Sequence, residues 1–327
     1  MWHNSFGSKF KIEIWGASHT PKMGVRISGV PQGIALTEAD FEADLSRRRA
    51  SARGTTARHE KDIPTIVAGV VDGVTTGETI EIEFQNGDTR SSDYSQFEVQ
   101  PRPSHIDFVA RAKYGNDVDL RGSGQFSGRM TLLLVTAGVV AKRVVGDIEY
   151  STSIVEIGGE RNSEKFADVV ASAMAEGDSV GGVVECCAKG VEVGLGEPFF
   201  DSAESIIAHL LFSVPAVKGV EFGSGFEGVK LRGSERNDCF IDGEGHTATN
   251  NEGGINGGIT NGNDLVVRVA IKPTPTIAHE QMTYNKELGK VAPLIAKGRH
   301  DACIVLRASV VIESVVAIAL AELKMQN

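Results

Sequence analysis

The sequence predicts an α+β fold with antiparallel sheets. Strand-like runs cluster near its start and face each other across turn residues, as "TIVAGVVDG" and "ETIEIEFQN" do across "TTGE". Long apolar helical segments stand apart from these runs, one at 130–145 and one ending near Leu323. Polar segments suited to a site are scattered from residue 18 to residue 301, so the two ends of the chain must meet in one integrated domain, 1–327. This order of elements differs from the regular strand–helix repeat of a Rossmann fold.

The elements follow in turn. Phe10, Ile12 and Ile14 alternate with Lys9, Lys11 and Glu13, which reads as a half-buried strand. It runs into "WGASHT", a loop carrying His19, and "MGVRISGVP" is a second strand. Thr37 and Asp40 mark a helix start with Thr37 as N-cap, and Phe41 and Leu45 share a face four residues apart. That helix ends in Arg47, Arg48 and Arg49, where positive charge suits the carbonyl end of the helix dipole. After "RPSHID" a short helix reaches Tyr114. "GSGQFSGRMT" leads into the apolar helix, whose uncharged run from Met130 to Ala141 is too short to span a bilayer and reads as core. Alternating strands and helices are expected to about residue 250. A glycine-rich run, "NNEGGINGGITNG", then precedes a strand at 265–273, and "GRHD" precedes an apolar strand followed by the last helix.

Composition narrows the function. At 41% hydrophobic residues the chain can bury a large core, and its 38 glycines imply tight turns and close backbone packing. A formal net charge of -10 argues against a general nucleic-acid binder. It does not argue against an anionic small substrate, because exposed charges are screened beyond about 8 Å and a local arginine cluster can act alone. Cys186, Cys187, Cys239 and Cys303 have neither zinc-site nor disulfide spacing, and Cys186 and Cys187 read as small core residues in a reducing compartment. Met1 to Phe10 lacks the pattern of a signal peptide, so a cytoplasmic protein is expected.

Several loop segments could carry chemistry: Ser18-His19, Arg102 with His105, Arg129, Arg299-His300-Asp301, and the arginines at 47–49 and 53. Taken alone, a loop histidine such as His105 is more often a solvated side chain or a local hydrogen-bonding partner than a catalytic group. Arg129 opens a helix, where a cation opposes the dipole, and a nearby anion would resolve the conflict. "GGINGGITNG" could bring backbone N–H groups to a phosphate or could simply turn the chain before the next strand. It is neither a Walker A sequence nor a dinucleotide fingerprint. The chain contains no His-Glu-x-x-His, Gly-x-Ser-x-Gly or Cys-x-x-Cys motif, so metallohydrolase and α/β-hydrolase readings have no foundation and no metal is expected.

Together these segments resemble the chorismate synthase family. "WGASHT" is similar to its Gly-Glu-Ser-His-Gly signature, and "RRRASARGTTARHEKD" to its arginine-rich segment. "RPSHIDFVARAKYG" resembles its Arg-Pro-Gly-His-Ala-Asp segment, and "GSGQFSGRMT" stands where the family has Gly-Gly-Gly-Arg-Ser-Ser-Ala-Arg-Glu-Thr. "GEGHTATNNEGGINGGITNG", "VAIKPTPTI" and "GRHDACIVLRA" match its C-terminal segments in order. The resemblance covers nearly the whole chain. It implies a β-α-β sandwich and the 1,4-elimination of phosphate from 5-enolpyruvylshikimate 3-phosphate to chorismate, with reduced FMN and no net redox change. It also implies a homotetramer, and because no reductase-like segment is visible in the sequence, reduction of the flavin by an external system is expected.

By the same resemblance, His19 and His105 are the catalytic histidines, with His19 near the flavin and His105 donating a proton near the substrate phosphate. Asp301 assists removal of the C6 proton near flavin N5. Arg48, Arg53, Arg102, Arg129 and Arg299 clamp the substrate anions, with Ser18 adding a hydrogen bond. Gln125, Phe126, Ser127, Pro215, Ala216, Gly257, Lys272, Pro273, Thr274, Pro275, Thr276 and again Arg299 hold the FMN. Departures from the family pattern include Ala17, Thr20, Gln125, Phe126 and Met130, and the loss of an arginine at 125 removes one cation expected near the flavin. Three other readings compete. A catalytically silent relative would bind FMN or an anionic metabolite without turnover. A nucleic-acid binder would use Arg47 to Arg53 and show steep salt dependence. An unrelated flavin oxidoreductase would change its substrate's redox state stoichiometrically.

Overall fold

A computed structural model describes every residue except 1–3, 51, 57, 59, 89–93 and 297–299. Two antiparallel sheets enclose a layer of helices, the β-α-β sandwich of an α+β fold. The first sheet has the strand order Ser5–Phe6, Lys11–Trp15, Lys22–Ser28, Ile80–Gln85, Thr65–Ala68. Ile12 pairs with Ile27, Val25 with Ile82 and Met23 with Phe84, so one face of the sheet is continuously apolar and buried. The other face is charged, with Arg26 between Glu13 and Glu81 and Lys22 on Glu83. The second sheet is ordered Val217–Phe222, Leu265–Ile271, Gly182–Lys189, Glu149–Ile157. Cys186 faces Val267 across its centre in the core, and all four cysteines are free.

Two helices, Thr131–Val145 and Ser309–Gln326, pack on each other between the sheets. The first rests on the strand Lys22–Ser28 and the second on Glu149–Ile157 and Gly182–Lys189. Sandwiched on both sides, they are apolar almost all round. Their axes approach closely at Gly138, where an added Cβ would stand 2.3 Å from Ser314 Cβ. Gly138→Ala should therefore lower stability by about 1–3 kcal/mol through overpacking, read as a lower urea midpoint at unchanged m-value. Two buried carboxylates tie the last helix to the rest of the chain. Glu322 accepts backbone N–H bonds from Ser8, Lys9 and Phe10, and Glu313 accepts from Arg47 and Lys142.

Most expected elements are present, with four differences. The turn in the 63–85 region lies at Asp72-Gly73, joining Val70–Val71 to Val74–Thr75, and not at "TTGE". Both turn residues have positive φ, 51° and 74°, the conformation a tight hairpin requires and Asp-Gly adopts readily. Thr65–Ala68 then pairs directly with Ile80–Gln85. The strand–helix alternation ends at Phe222, and single helical turns and loops follow to Ile255. The run "GGINGGITNG" forms a small hairpin, Ile255–Asn256 with Ile259–Thr260, turning at Gly257-Gly258. The strand expected before the last helix is replaced by a 3-10 turn, Ile304–Arg307, and the β-branched run after it is helical. Burial between two sheets outweighs the modest helix propensity of Val and Ile there. Among the described residues, no helix is long and apolar enough to cross a membrane.

Candidate active site

A cavity of about 750 Å³ opens where the two buried helices begin. Gly128 and Arg129, just before Thr131–Val145, and Ile304 and Arg307, just before Ser309–Gln326, form part of its wall. Both helix dipoles therefore present their positive ends to it. Among its described lining residues, eight arginines and lysines oppose three carboxylates, Glu60, Asp62 and Asp301. On a chain of net charge -10 this is a concentrated cationic site, built for an anion with several negative groups.

The arginines are held by a buried carboxylate. Asp62, 4% exposed, pairs through Oδ1 with Arg129 Nη1 and through Oδ2 with Arg48 Nη1 at 3.5 Å. Arg48 also donates to Thr131 Oγ1 (3.0 Å) and to the carbonyls of Gly128 (3.0 Å) and Arg129 (3.2 Å). Burial, then repulsion from Arg307, pushes the Arg48 guanidinium down to about 9, so it stays charged at neutral pH. Arg129 donates to Asn86 Oδ1 at 3.2 Å, while its buried Nη2 meets no acceptor among the described residues. The dipole conflict expected at Arg129 is thus answered first by Asp62, with one guanidinium nitrogen left for a ligand.

A second group surrounds His105. Asp107 accepts from Arg102 Nε at 2.8 Å and Nη2 at 2.7 Å, and from the Arg102 backbone N–H at 3.1 Å. The Arg102 guanidinium also donates to Thr276 Oγ1 and lies 4.0 Å over the Phe97 ring. Burial alone would raise the Asp107 pKa, but the bonds from Arg102 and then His105 outweigh it and hold the carboxyl well below its usual range. Asp107 is therefore an anion, and His105 Nδ1, 2.9 Å from Asp107 Oδ1, carries a proton towards it. Nε2 is directed at Ser123 Oγ, 3.1 Å away, on the cavity wall. Burial lowers the His105 pKa against the opposing pull of Asp107.

Ser18, Arg48, Arg102, His105, Gln125, Phe126, Ser127, Arg129, Pro215, Ala216, Lys272, Thr274, Pro275, Thr276 and Asp301, all singled out from sequence, line this one cavity. Asp301 Oδ1 accepts from the Thr56 N–H at 2.9 Å and from Arg307 at 3.4 Å. His19 sits one layer back, with Nδ1 3.3 Å from Ser18 Oγ and its ring edge-on to Tyr94 at 5.3 Å. It packs so tightly on Gly122 that an added Cβ would fall 2.4 Å from the ring. Gly122→Ala should displace His19 and cost about 1–3 kcal/mol, also because φ there is +57°; urea unfolding and the His19 ring resonances would show both effects.

Three predicted positions stand elsewhere. Arg53 is exposed in the turn Ala52–Thr55, and Arg58 takes the inward place, donating to Ser18 Oγ at 2.9 Å and to Glu60 at 2.7 Å. Gly257 and Pro273 are exposed and are not among the residues lining the cavity. Arg299 lies outside the described residues. Sequence reasoning passed over Asp62, Arg58, Asp107, Ser123 and Arg307, although each lies in a segment it had marked.

The chorismate synthase family pattern matches residues 10–325. A chorismate synthase of Chitinophaga pinensis is 52% identical over 320 residues, covering 98% of this chain and 96% of the relative. One of Korarchaeum cryptofilum is 42% identical over 346 residues, covering 97% and 96%. A chorismate synthase crystal structure superposes with a TM-score of 0.76 at 28% identity, covering 98% of this chain and 93% of that one. With this match in sequence and in fold, the chain belongs to the chorismate synthase family, a family of lyases.

Proposed function

We propose that the cavity carries out the elimination characteristic of the family, taking phosphate from 5-enolpyruvylshikimate 3-phosphate to give chorismate, within one domain spanning 1–327. The observation that carries this reading is the joining of a cationic wall to a histidine with a fixed tautomer. A substrate with two carboxylates and a phosphate needs several cations: Arg129, whose Nη2 meets no acceptor among the described residues, and Arg307 can meet it directly, whereas Arg48 and Arg58 add positive charge from guanidiniums already bonded within the protein. Arg102 serves the site indirectly, because its guanidinium is committed to Asp107 and Thr276. His105 protonates the departing phosphate, and Asp301 assists removal of the C6 proton.

Reduced FMN suits the remaining wall. Phe126, Pro215 and Ala216 offer apolar surface beside Gln125, Ser127 and the Lys272–Thr276 segment, and the cavity is roomy enough for a planar ring and a substrate together. Gln125, where the family pattern has arginine, accepts from Asn4 Nδ2 at 3.3 Å and leaves Lys272 and Lys218 as the cations on this side. When bound, the reduced flavin supplies electron-rich chemistry that the protein's side chains lack. Flavin reduction is assigned to an external system, and the protein to the cytoplasm. A homotetramer would cover the exposed Phe199, Phe200, Phe226 and Phe240.

The test is anaerobic. Protein, reduced FMN and 5-enolpyruvylshikimate 3-phosphate are mixed, and chorismate absorbance and phosphate release are followed together. Equal yields, an unchanged flavin redox state and a loss of about 10²–10⁴-fold in His105→Ala are expected. Binding of both ligands without turnover would instead support a silent relative, with Gln125 and Phe126 the first positions to revert.

A further inference from the structure

Ser123 stands in a backbone conformation that serine rarely adopts. Its φ is +70°, between Gly122 at +57° and Gly124 at +56°. Glycine would occupy this position without strain, and the quoted family segment has glycine there. A side chain kept at such a place invites a functional account. The only side-chain atom Ser123 adds beyond its Cβ is Oγ, which lies on the cavity wall 3.1 Å from His105 Nε2.

We infer that the Ser123 hydroxyl relays a proton between His105 and the oxygen of the departing phosphate. The reasoning follows from the chain Asp107–His105–Ser123. Asp107 is anionic and accepts from Nδ1, so in neutral His105 the Nε2 lone pair must accept from Ser123 Oγ–H. In protonated His105, Nε2–H donates to Oγ and the serine O–H turns towards the cavity. One proton leaves Nε2 for Oγ while another leaves Oγ for a phosphate oxygen. His105 ends neutral, the phosphate ends protonated and Ser123 is unchanged. A bound phosphate favours the imidazolium by its charge, offsetting Arg102 and Lys272, the cations that oppose it beside Asp107. His105 can thus act without touching the phosphate itself. The inference rests on the proposed reaction, which it refines.

Ser123→Gly removes the hydroxyl and relieves the backbone, so folding is not put at risk. Its midpoint of thermal unfolding should equal or exceed wild type. The expected result is a fall in kcat of about 10–100-fold, with KM for 5-enolpyruvylshikimate 3-phosphate changed less than about threefold and the His105 limb of the pH profile moved. A second measurement needs no turnover. In protein labelled with ¹⁵N-histidine, inorganic phosphate should shift the His105 Nε2 resonance in wild type and much less in Ser123→Gly. Wild-type kcat and pH profile in the variant, or equal phosphate responses, would overturn the relay. If wild type itself forms no chorismate, the proposed reaction has failed and the resonance measurement alone decides on the relay.

Discussion

Asp62→Ala should destabilise the protein by about 3–5 kcal/mol, because it leaves two buried guanidiniums without their shared anion. Arg48 and Arg129 are 3% and 8% exposed, so water cannot replace the lost carboxylate. The direct reading is the urea midpoint at constant pH. A plain structural ion pair would end there, but here the same cations face a ligand cavity. Phosphate or sulfate should therefore recover more thermal stability in Asp62→Ala than it adds to wild type, since the added anion meets a site with one fewer competing carboxylate. An equal gain in both proteins would show that Asp62 does not compete with the ligand. The substrate's KM should fall as the anion's affinity rises, provided the variant is assayed well below its melting temperature.

Local pattern carried much of this protein. The alternation of Ile12 and Ile14 with Lys11 and Glu13 placed a strand with one buried face, and the observed register confirms it. The glycine run before Arg129 marked a helix start, and the apolar helix begins at Thr131. Other features depended on partners distant in sequence. Whether Arg53 or Arg58 faces the cavity is set by how the turn at Gly54 docks its carbonyl on the N–H groups of Ala302 and Cys303, some 250 residues away in the chain. The same holds for Asp62, which is unremarkable in "RHEKD" until Arg48 and Arg129 close around it. Arg102 shows the opposite limit. Its place in the motif was legible, but its commitment to Asp107, Thr276 and the Phe97 ring was not. A residue's type and motif thus located the site, while the division between ligand-holding and scaffold arginines required the packing.

Asp107→Asn should be the most damaging conservative change at the site, lowering kcat by about 10²–10⁴-fold. An amide can donate to His105 Nδ1, which favours a proton on Nε2 and removes the acceptor that Ser123 faces. Buried Arg102 would also lose its counter-charge, at about 3–5 kcal/mol. The pH dependence of stability separates these effects. The Asp107 pKa is depressed in the folded protein, so its stabilisation is complete above the unfolded value of about 4 and is lost as pH falls further towards the folded value. The His105 pKa is also lowered, so below about 6.5 the unfolded chain takes up the proton first and wild-type stability begins to fall there. Urea midpoints from pH 8 to pH 3 should therefore decline in both windows for wild type. Asp107→Asn should lose the Asp107 share of the acid window, leaving the share of other depressed carboxylates such as Glu313 and Glu322, and its histidine window should widen, because the carboxylate that favoured the imidazolium is gone. A variant with wild-type kcat and an unchanged acid window would remove Asp107 from its place behind His105.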